Sequence, residues 1–284
     1  MRRKGGFMAQ EYQYMTNPIC FTANCRYYGA VMRPFLRTLV VIAALLSMTA
    51  CFAADRPISM PVLSAKPYGW LDEQGRVQGL YPDIAAALAK VTGLEIRVEV
   101  VPFARAASMV ASGSGDVTLM FSNAFTEKKT MEAIAVFYTN QVVQLRPGLA
   151  ATSRYDLAAL PVGRMNGGCL ELAEDTSVNW RFQDLTSQDS GVRMLLAGRI
   201  DGFCTATEAL IDAITSAGLE SNFQNSQRMV LASKAVWLMT SLRLPQDVTK
   251  RLVAGVRQIQ KSGELAQIFK KRLGSSYVLS IGPR

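Results

Sequence analysis

The sequence contains no histidine. That absence removes Ser-His-Asp and Cys-His nucleophile pairs, His-ligated zinc and any imidazole titrating near neutrality. Charge is scarce too: 19% of the 284 residues are Asp, Glu, Lys or Arg, against 49% hydrophobic ones. Such a balance excludes a disordered chain and supplies enough apolar side chain for one large or two modest domains. Of the five cysteines, only Cys169 and Cys204 lie beyond the first 51 residues. With no histidine to join them, no metal cluster is expected, and no Gly-rich phosphate loop stands out, so no cofactor is expected either.

Long apolar runs are equally rare, and the clearest one is N-terminal. Residues 39–46 read Leu-Val-Val-Ile-Ala-Ala-Leu-Leu, preceded by Arg33 and Arg37 and followed by small residues up to Asp55. A basic start, a short apolar heart and a small-residue exit describe a secretory signal peptide over residues 32–54, opening at Met32. Residues 1–31 show neither helical nor strand periodicity and read as an extension from a wrongly chosen upstream start. Two exits fit. Cleavage after Ala53 releases a soluble periplasmic protein, whereas Met48-Thr49-Ala50-Cys51 resembles a lipoprotein box that anchors the chain at Cys51. The first 54 residues hold six of the 31 basic residues and one of the 22 acidic ones, so the remainder carries a net charge of +4. Its Lys and Arg are dispersed, and no nucleic-acid partner is expected.

Beyond the leader, helical and strand periodicities alternate. Residues 82–92 have Pro82 in the first turn, an Ala-rich body and Gly93 as a stop, which predicts a helix. Residues 94–100 alternate apolar and charged, a strand pattern. A helix over residues 103–112 ends at Gly113, and residues 116–121 form a strand. Alternating helices and strands imply a largely parallel sheet with right-handed crossovers. The grammar returns later: Met109-Val-Ala-Ser-Gly-Ser-Gly-Asp116 and Met194-Leu-Leu-Ala-Gly-Arg-Ile-Asp201 share a helix end, a Gly, two residues and an Asp entering a strand. Around the second copy the pattern predicts a strand over 162–165 and a helix from Leu170. A helix over 190–197, a strand over 200–204 and a helix over 208–217 follow. Two similar α/β units therefore share the chain, joined by connectors at 138–145 and 236–244, and two crossings make a hinge with a cleft between the units. The tail predicts helices over 246–261 and 264–272 that pack back on the first unit, with Lys270-Lys271-Arg272 on a solvated face.

The motifs Lys66-Pro67-Tyr68-Gly69-Trp70, Gly79-Leu-Tyr-Pro-Asp83-Ile, Gly115-Asp116-Val-Thr-Leu and Gly198-Arg-Ile-Asp201-Gly, in that order and spacing, resemble those of family 3 bacterial solute-binding proteins. Within that family they are most similar to the polar-amino-acid receptors of ATP-binding-cassette importers. The resemblance runs from about Ile58 to Leu273. It implies an α/β, two-lobed periplasmic-binding-protein-like (type II) fold with two hinge strands and an interlobe cleft. Lobe 1 would comprise residues 55–145 plus 238–284, and lobe 2 residues 146–237. It further implies a monomer that captures a small polar solute, amino-acid-like or an organic anion, and delivers it to a membrane permease. A periplasmic sensory protein and a cyclohexadienyl-dehydratase-like enzyme are the alternatives on the same fold, with Glu208 or Glu171 as the acid in the second.

Carried over position by position, the resemblance places ring walls at Tyr68, Trp70 and Phe103. The family's carboxylate-binding Arg falls on Lys128, a point charge instead of a fork, with Arg105 able to supply the fork from the neighbouring helix. Ser122 and Asn123 follow the strand where the family uses hydroxyls and backbone groups. Asn166, Gly167 and Gly168 form a strand-to-helix turn whose N–H groups suit an anion. The family's ammonium-binding Asp falls on Ala206, and Glu208 is the acid nearest to replacing it. Cys169 and Cys204 each follow a lobe 2 strand, facing each other at the cleft, and an oxidising compartment favours a disulfide over two thiols.

Overall fold

The computed structural model describes residues 56–122, 126–166 and 168–282. The expected leader, with Cys51 as the residue of its alternative lipoprotein exit, the expected site residues Asn123 and Gly167, and the last two residues lie outside that set. In chain order the elements are β1 (Ile58–Leu63), β2 (Trp70–Leu71), β3 (Val77–Gln78), α1 (Leu80–Thr92), β4 (Ile96–Val101), α2 (Phe103–Ser112) and β5 (Val117–Met120). Then come β6 (Thr130–Leu145), a 3-10 turn (Arg154–Ala159), β7 (Pro161–Met165), α3 (Leu170–Ala173), β8 (Arg181–Leu185), α4 (Gln188–Leu196) and β9 (Gly202–Ala206). The chain closes with α5 (Thr207–Ser216), α6 (Glu220–Phe223), β10 (Arg228–Ser241), α7 (Gln246–Lys261) and α8 (Glu264–Leu273).

A six-stranded sheet in the order β5-β10-β6-β9-β7-β8 runs through both lobes, beside a parallel β1-β4 pair and a small β2-β3 hairpin. The largely parallel sheet expected from the alternation is corrected here. Pairs β1-β4, β7-β8 and β7-β9 are parallel, but β5-β10, β10-β6 and β6-β9 are antiparallel. The reason is that β6 and β10 are long connecting strands of opposite direction, inserted where a crossover helix would otherwise sit. The predicted connectors covered only half of each, because Thr130–Phe137 and Arg228–Ala235 carry no clean alternation.

Two bodies of apolar packing follow. In lobe 1, Leu80, Ile84 and Leu88 of α1 pack with Val248, Leu252, Val256 and Ile259 of α7 and Phe269 of α8, so the tail does return to the first lobe. Arg272, expected on the solvated face, is instead half-buried and forks onto Asp83 at 2.7 and 3.1 Å. In lobe 2, one core lies under α4 and α5 (Val192, Leu195, Phe203, Leu210) and another on the opposite sheet face (Val143, Leu157, Val162, Leu172). The disulfide joins Cys169 and Cys204 with Cα atoms 5.9 Å apart. Both cysteines are buried in that second core, and the Gln141 side-chain amide of β6 donates to the Cys204 sulfur at 3.5 Å.

The repeated Gly…Asp grammar has a structural basis. Gly113 and Gly198 both stop their helices with positive φ (79° and 65°). Asp116 accepts a fork from Arg56 (2.6 and 2.7 Å) and the Ser59 N–H, and Asp201 accepts from Arg146 at 2.9 Å, so each Asp ties its strand to a neighbouring segment. Gly191 does a different job. A Cβ there would lie 2.5–2.8 Å from three atoms of the buried Phe203 ring. Overpacking costs about 1–3 kcal/mol, more than the ~1 kcal/mol that Ala regains in helix propensity. Gly191→Ala is therefore expected to lower the melting temperature in a thermal unfolding scan; an unchanged value would mean that α4 moves freely off β9.

Candidate ligand site

Side chains along a strand alternate between two sides, and residues directly paired across an antiparallel ladder share a side. On one side of β6 the order is Phe137, Thr139, Gln141, Val143. Phe137 belongs to the lobe 1 core and Val143 to the lobe 2 core. Thr139 and Gln141 are the polar interruption between them. On β10 the partners are Val236 opposite Phe137, Lys234 opposite Thr139 and Ala232 opposite Gln141. A polar gap therefore opens between two apolar bodies on one side of the hinge ladder.

Glu208 enters this gap from the first turn of α5. Its carboxyl accepts hydrogen bonds from the Tyr277 hydroxyl (2.5 Å), the Tyr68 hydroxyl (3.4 Å) and, at close range, the Thr139 hydroxyl. The residue has 0% of its surface exposed. Burial pushes the carboxyl above the ordinary carboxylate range, and the three hydroxyl donors oppose that only in part. Burial and the same carboxyl push Tyr68 and Tyr81 up as well. One turn later, Asp212 is also raised by burial, while the fields of Lys66 and Arg272 draw it back. Lobe 2, the hinge and lobe 1 thus meet at one carboxyl group.

The sequence-derived site residues divide into those brought together and those kept apart. Tyr68 is buried, its ring 5.2 Å from Tyr81, and it reaches Glu208. Trp70 is half-buried between two cations, with Lys66 5.7 Å and Arg272 5.5 Å from its ring centre. Phe103 opens α2 and is 41% exposed. Arg105 is exposed with Glu99 3.9 Å away, so its fork faces a surface carboxylate. Ser122 is exposed after β5, and Lys128 sits exposed at φ 59° in the turn before β6. Asn166 is exposed. The Gly168 N–H, expected to be free for an anion, donates to the Met165 carbonyl at 2.7 Å, because the chain folds back on itself before α3. Glu208, expected to offer its charge to a ligand, is enclosed by hydroxyls.

Three contributors escaped the sequence reading. Thr139 and Tyr277 complete the shell of Glu208, and Lys234 pairs with Glu171 of α3. The period-2 pattern of β6 carried the signal, since Thr139 and Gln141 break an otherwise apolar side. Among the described residues no group of three or more His, Cys, Asp or Glu is arranged to hold a metal ion, and no helix is long and apolar enough to cross a membrane.

Comparison with known proteins agrees with this architecture. The family model of bacterial extracellular solute-binding proteins, family 3, matches residues 62–275. No curated protein matches the chain significantly. Among solved structures, the arginine-, lysine-, histidine-binding protein ArtJ from Geobacillus stearothermophilus is 15% identical, with 77% of this chain and 96% of that chain covered and a TM-score of 0.60. A histidine kinase sensor domain with similarity to periplasmic binding proteins is 19% identical (77% and 96% covered, TM-score 0.62). The ancestral amino acid-binding protein AncCDT-1, a precursor of cyclohexadienyl dehydratase, is 16% identical (76% and 95% covered, TM-score 0.61).

Proposed function

Because the chain belongs to the bacterial extracellular solute-binding proteins of family 3, we propose that it is an exported, monomeric receptor. It captures a small polar solute, amino-acid-like or an organic anion, and presents it to the permease of an ATP-binding-cassette importer. The observation that carries this reading is the polar gap on the hinge ladder, bounded by an apolar core on either side and bridged by Glu208. A solute entering such a gap touches both lobes and the hinge at once, which is what couples binding to closure. We take lobe 1 as residues 55–145 plus 238–284 and lobe 2 as residues 146–237, with β6 and β10 crossing between them. Trp70, Ser122, Lys128 and Asn166 keep surface with which to meet a solute, and ArtJ and AncCDT-1 supply amino acids as the first class to try.

The same geometry argues for binding over catalysis. An elimination needs an acid within reach of the leaving group, and Glu208 has no exposed surface while Glu171 is held by Lys234. A thermal-shift screen of amino acids, opines, dicarboxylates and polyamines tests the reading. A true solute at one hundred times its Kd adds ~2.7 kcal/mol to folded-state stability, with no product on prolonged incubation. Turnover of prephenate or arogenate would replace the receptor by the enzyme. Lys128→Ala is expected to weaken the best hit, and unchanged affinity would remove Lys128 from the site.

A further inference from the structure

The chain beyond α8 reaches past lobe 1. Residues 277–281 alternate, with Tyr277 and Leu279 packed on the lobe 1 core and Val278 and Ile281 71% and 55% exposed. The Tyr277 ring stacks on Phe269 of α8, 5.5 Å between centres and 18° between planes, so its body belongs to lobe 1. Its hydroxyl donates to Glu208 of α5 at 2.5 Å, so its polar tip meets lobe 2. Three residues on, the Ser280 carbonyl accepts from the Tyr138 N–H of hinge strand β6 at 2.7 Å. That bond lies on the edge of β6 away from β10, just beyond Gln141, where the pairing with β9 stops. One short segment therefore touches lobe 1, lobe 2 and the hinge.

What it secures is the seat of α5. That helix packs on both lobes: Leu210, Ala213 and Ile214 lie in the lobe 2 core, while Ala209 is buried in the lobe 1 core with Ile211 against it. A cavity of about 280 Å³ is shared by the segment, α5 and the hinge, lined by Asn140, Thr207, Ile211, Leu273 and Ser276 beside the residues already named. The Tyr277 hydroxyl spans that joint.

We propose that residues 274–280 are a latch between the lobes, and that Tyr277 is the positioning residue that sets how far they part. The inference goes beyond the solute-binding reading and rests on the two-lobed fold alone. Opening lifts α5 off lobe 1 and breaks the Tyr277–Glu208 bond, in a buried place where a lost partner is costly. Stacked on Phe269, the phenol ring stays with lobe 1 and does not follow α5 outward. Apparent affinity scales with the population of the competent arrangement, so the latch tunes the capture of any solute through that population.

The test reads the distance between the lobes with no solute present. Keto-amino-acid spin labels replace Lys261 at the end of α7 and Ser221 in α6, and pulsed electron resonance gives the distance distribution on the full chain. The wild type is expected to show a single narrow peak. Tyr277→Phe keeps the ring and its stacking but removes the hydroxyl. It should raise the population outside that peak about fivefold, the effect of one hydrogen bond. Deleting residues 275–284 should raise it at least as much. Ile281→Ser, at an exposed side chain of the same tail, should leave the distribution unchanged. Melting temperatures recorded alongside separate a latch from a mere support, since a support lowers the melting temperature and leaves the peak in place. Unchanged distances in Tyr277→Phe overturn the proposal, and so does a change of equal size in Ile281→Ser. Because no solute enters the measurement, a screen without hits counts against the receptor reading and not against the latch.

Discussion

Replacing Glu208 with alanine is expected to lower the melting temperature by about 6–12 °C. The carboxyl is the common acceptor for Tyr68, Thr139 and Tyr277, which come from three separate parts of the chain. Truncation takes that shared acceptor away from the buried hydroxyls, at about 1–3 kcal/mol per group. Even at the low end, three groups cost ~3 kcal/mol, and a domain of this size shifts by ~2–4 °C per kcal/mol. Glutamine behaves differently, because it keeps the volume and an acceptor oxygen while removing the charge. The carboxyl is raised by burial in the folded state, so its contribution to stability is complete at low pH, where it is protonated in folded and unfolded chains alike. As pH rises through its folded value, the unfolded chain ionises the group more readily and that stability is lost. The advantage of Glu208→Gln over the wild type should therefore grow from pH 5 to pH 8. Taking the difference between the two proteins cancels the other titrating groups, including Asp212. Paired melting curves across that range decide the matter, and an advantage that shrinks with pH would mean the native carboxyl is stabilised as the anion.

Reduction of the Cys169–Cys204 bond is the second large effect. The two residues are 35 positions apart. The chain-entropy relation gives ~3.8 kcal/mol at 25 °C for a loop of that length, or about 8–15 °C in melting temperature. The bond closes a loop that contains α3, β8, α4 and the start of β9, so its loss loosens lobe 2 selectively. Cys169→Ala/Cys204→Ala, or thiol reductant on the wild type, should lower amide protection in β7 and β9 before it does so in α1 or α7. A fall of less than ~1 kcal/mol would show that lobe 2 is held by its apolar packing alone. Native-state hydrogen exchange separates the two cases.

Much of this fold was legible because its helices are amphipathic and cleanly ended. Phe103–Ser112 and Gln246–Lys261 have the predicted limits, set by Pro102 and Gly113 for one and by Pro245 for the other. The strands were harder. β8 is mostly exposed and polar, so it lacks the alternation that marks a half-buried strand. In the outer half of β6, Met131 and Glu132 are both exposed and Ala133, Ile134 and Ala135 are all half-buried, so no period of two marks the strand. The site was read only in part. Tyr68 and Glu208 were found and do meet, but the role of Glu208 depends on Thr139 and Tyr277, which are 69 residues away in either direction. No local pattern connects such positions. Arg105 illustrates the converse, for a guanidinium placed correctly on a helix was answered by Glu99 on the preceding strand.

The hinge ladder carries a mechanical corollary. β6 and β10 are paired from Gln144–Arg228 at one end to Thr130–Ser241 at the other, with shifts of register at Val230/Ala232, Val236/Trp237 and Leu238/Met239. Sliding one half of the molecule along the other would rupture that whole run of backbone bonds, whereas local twisting ruptures none. Irregularities of this kind bend a ribbon and add to its right-handed coil. The soft coordinate is therefore torsional: the molecule opens as a wrung ribbon does, with the compliance concentrated at three points and the length of the ribbon unchanged.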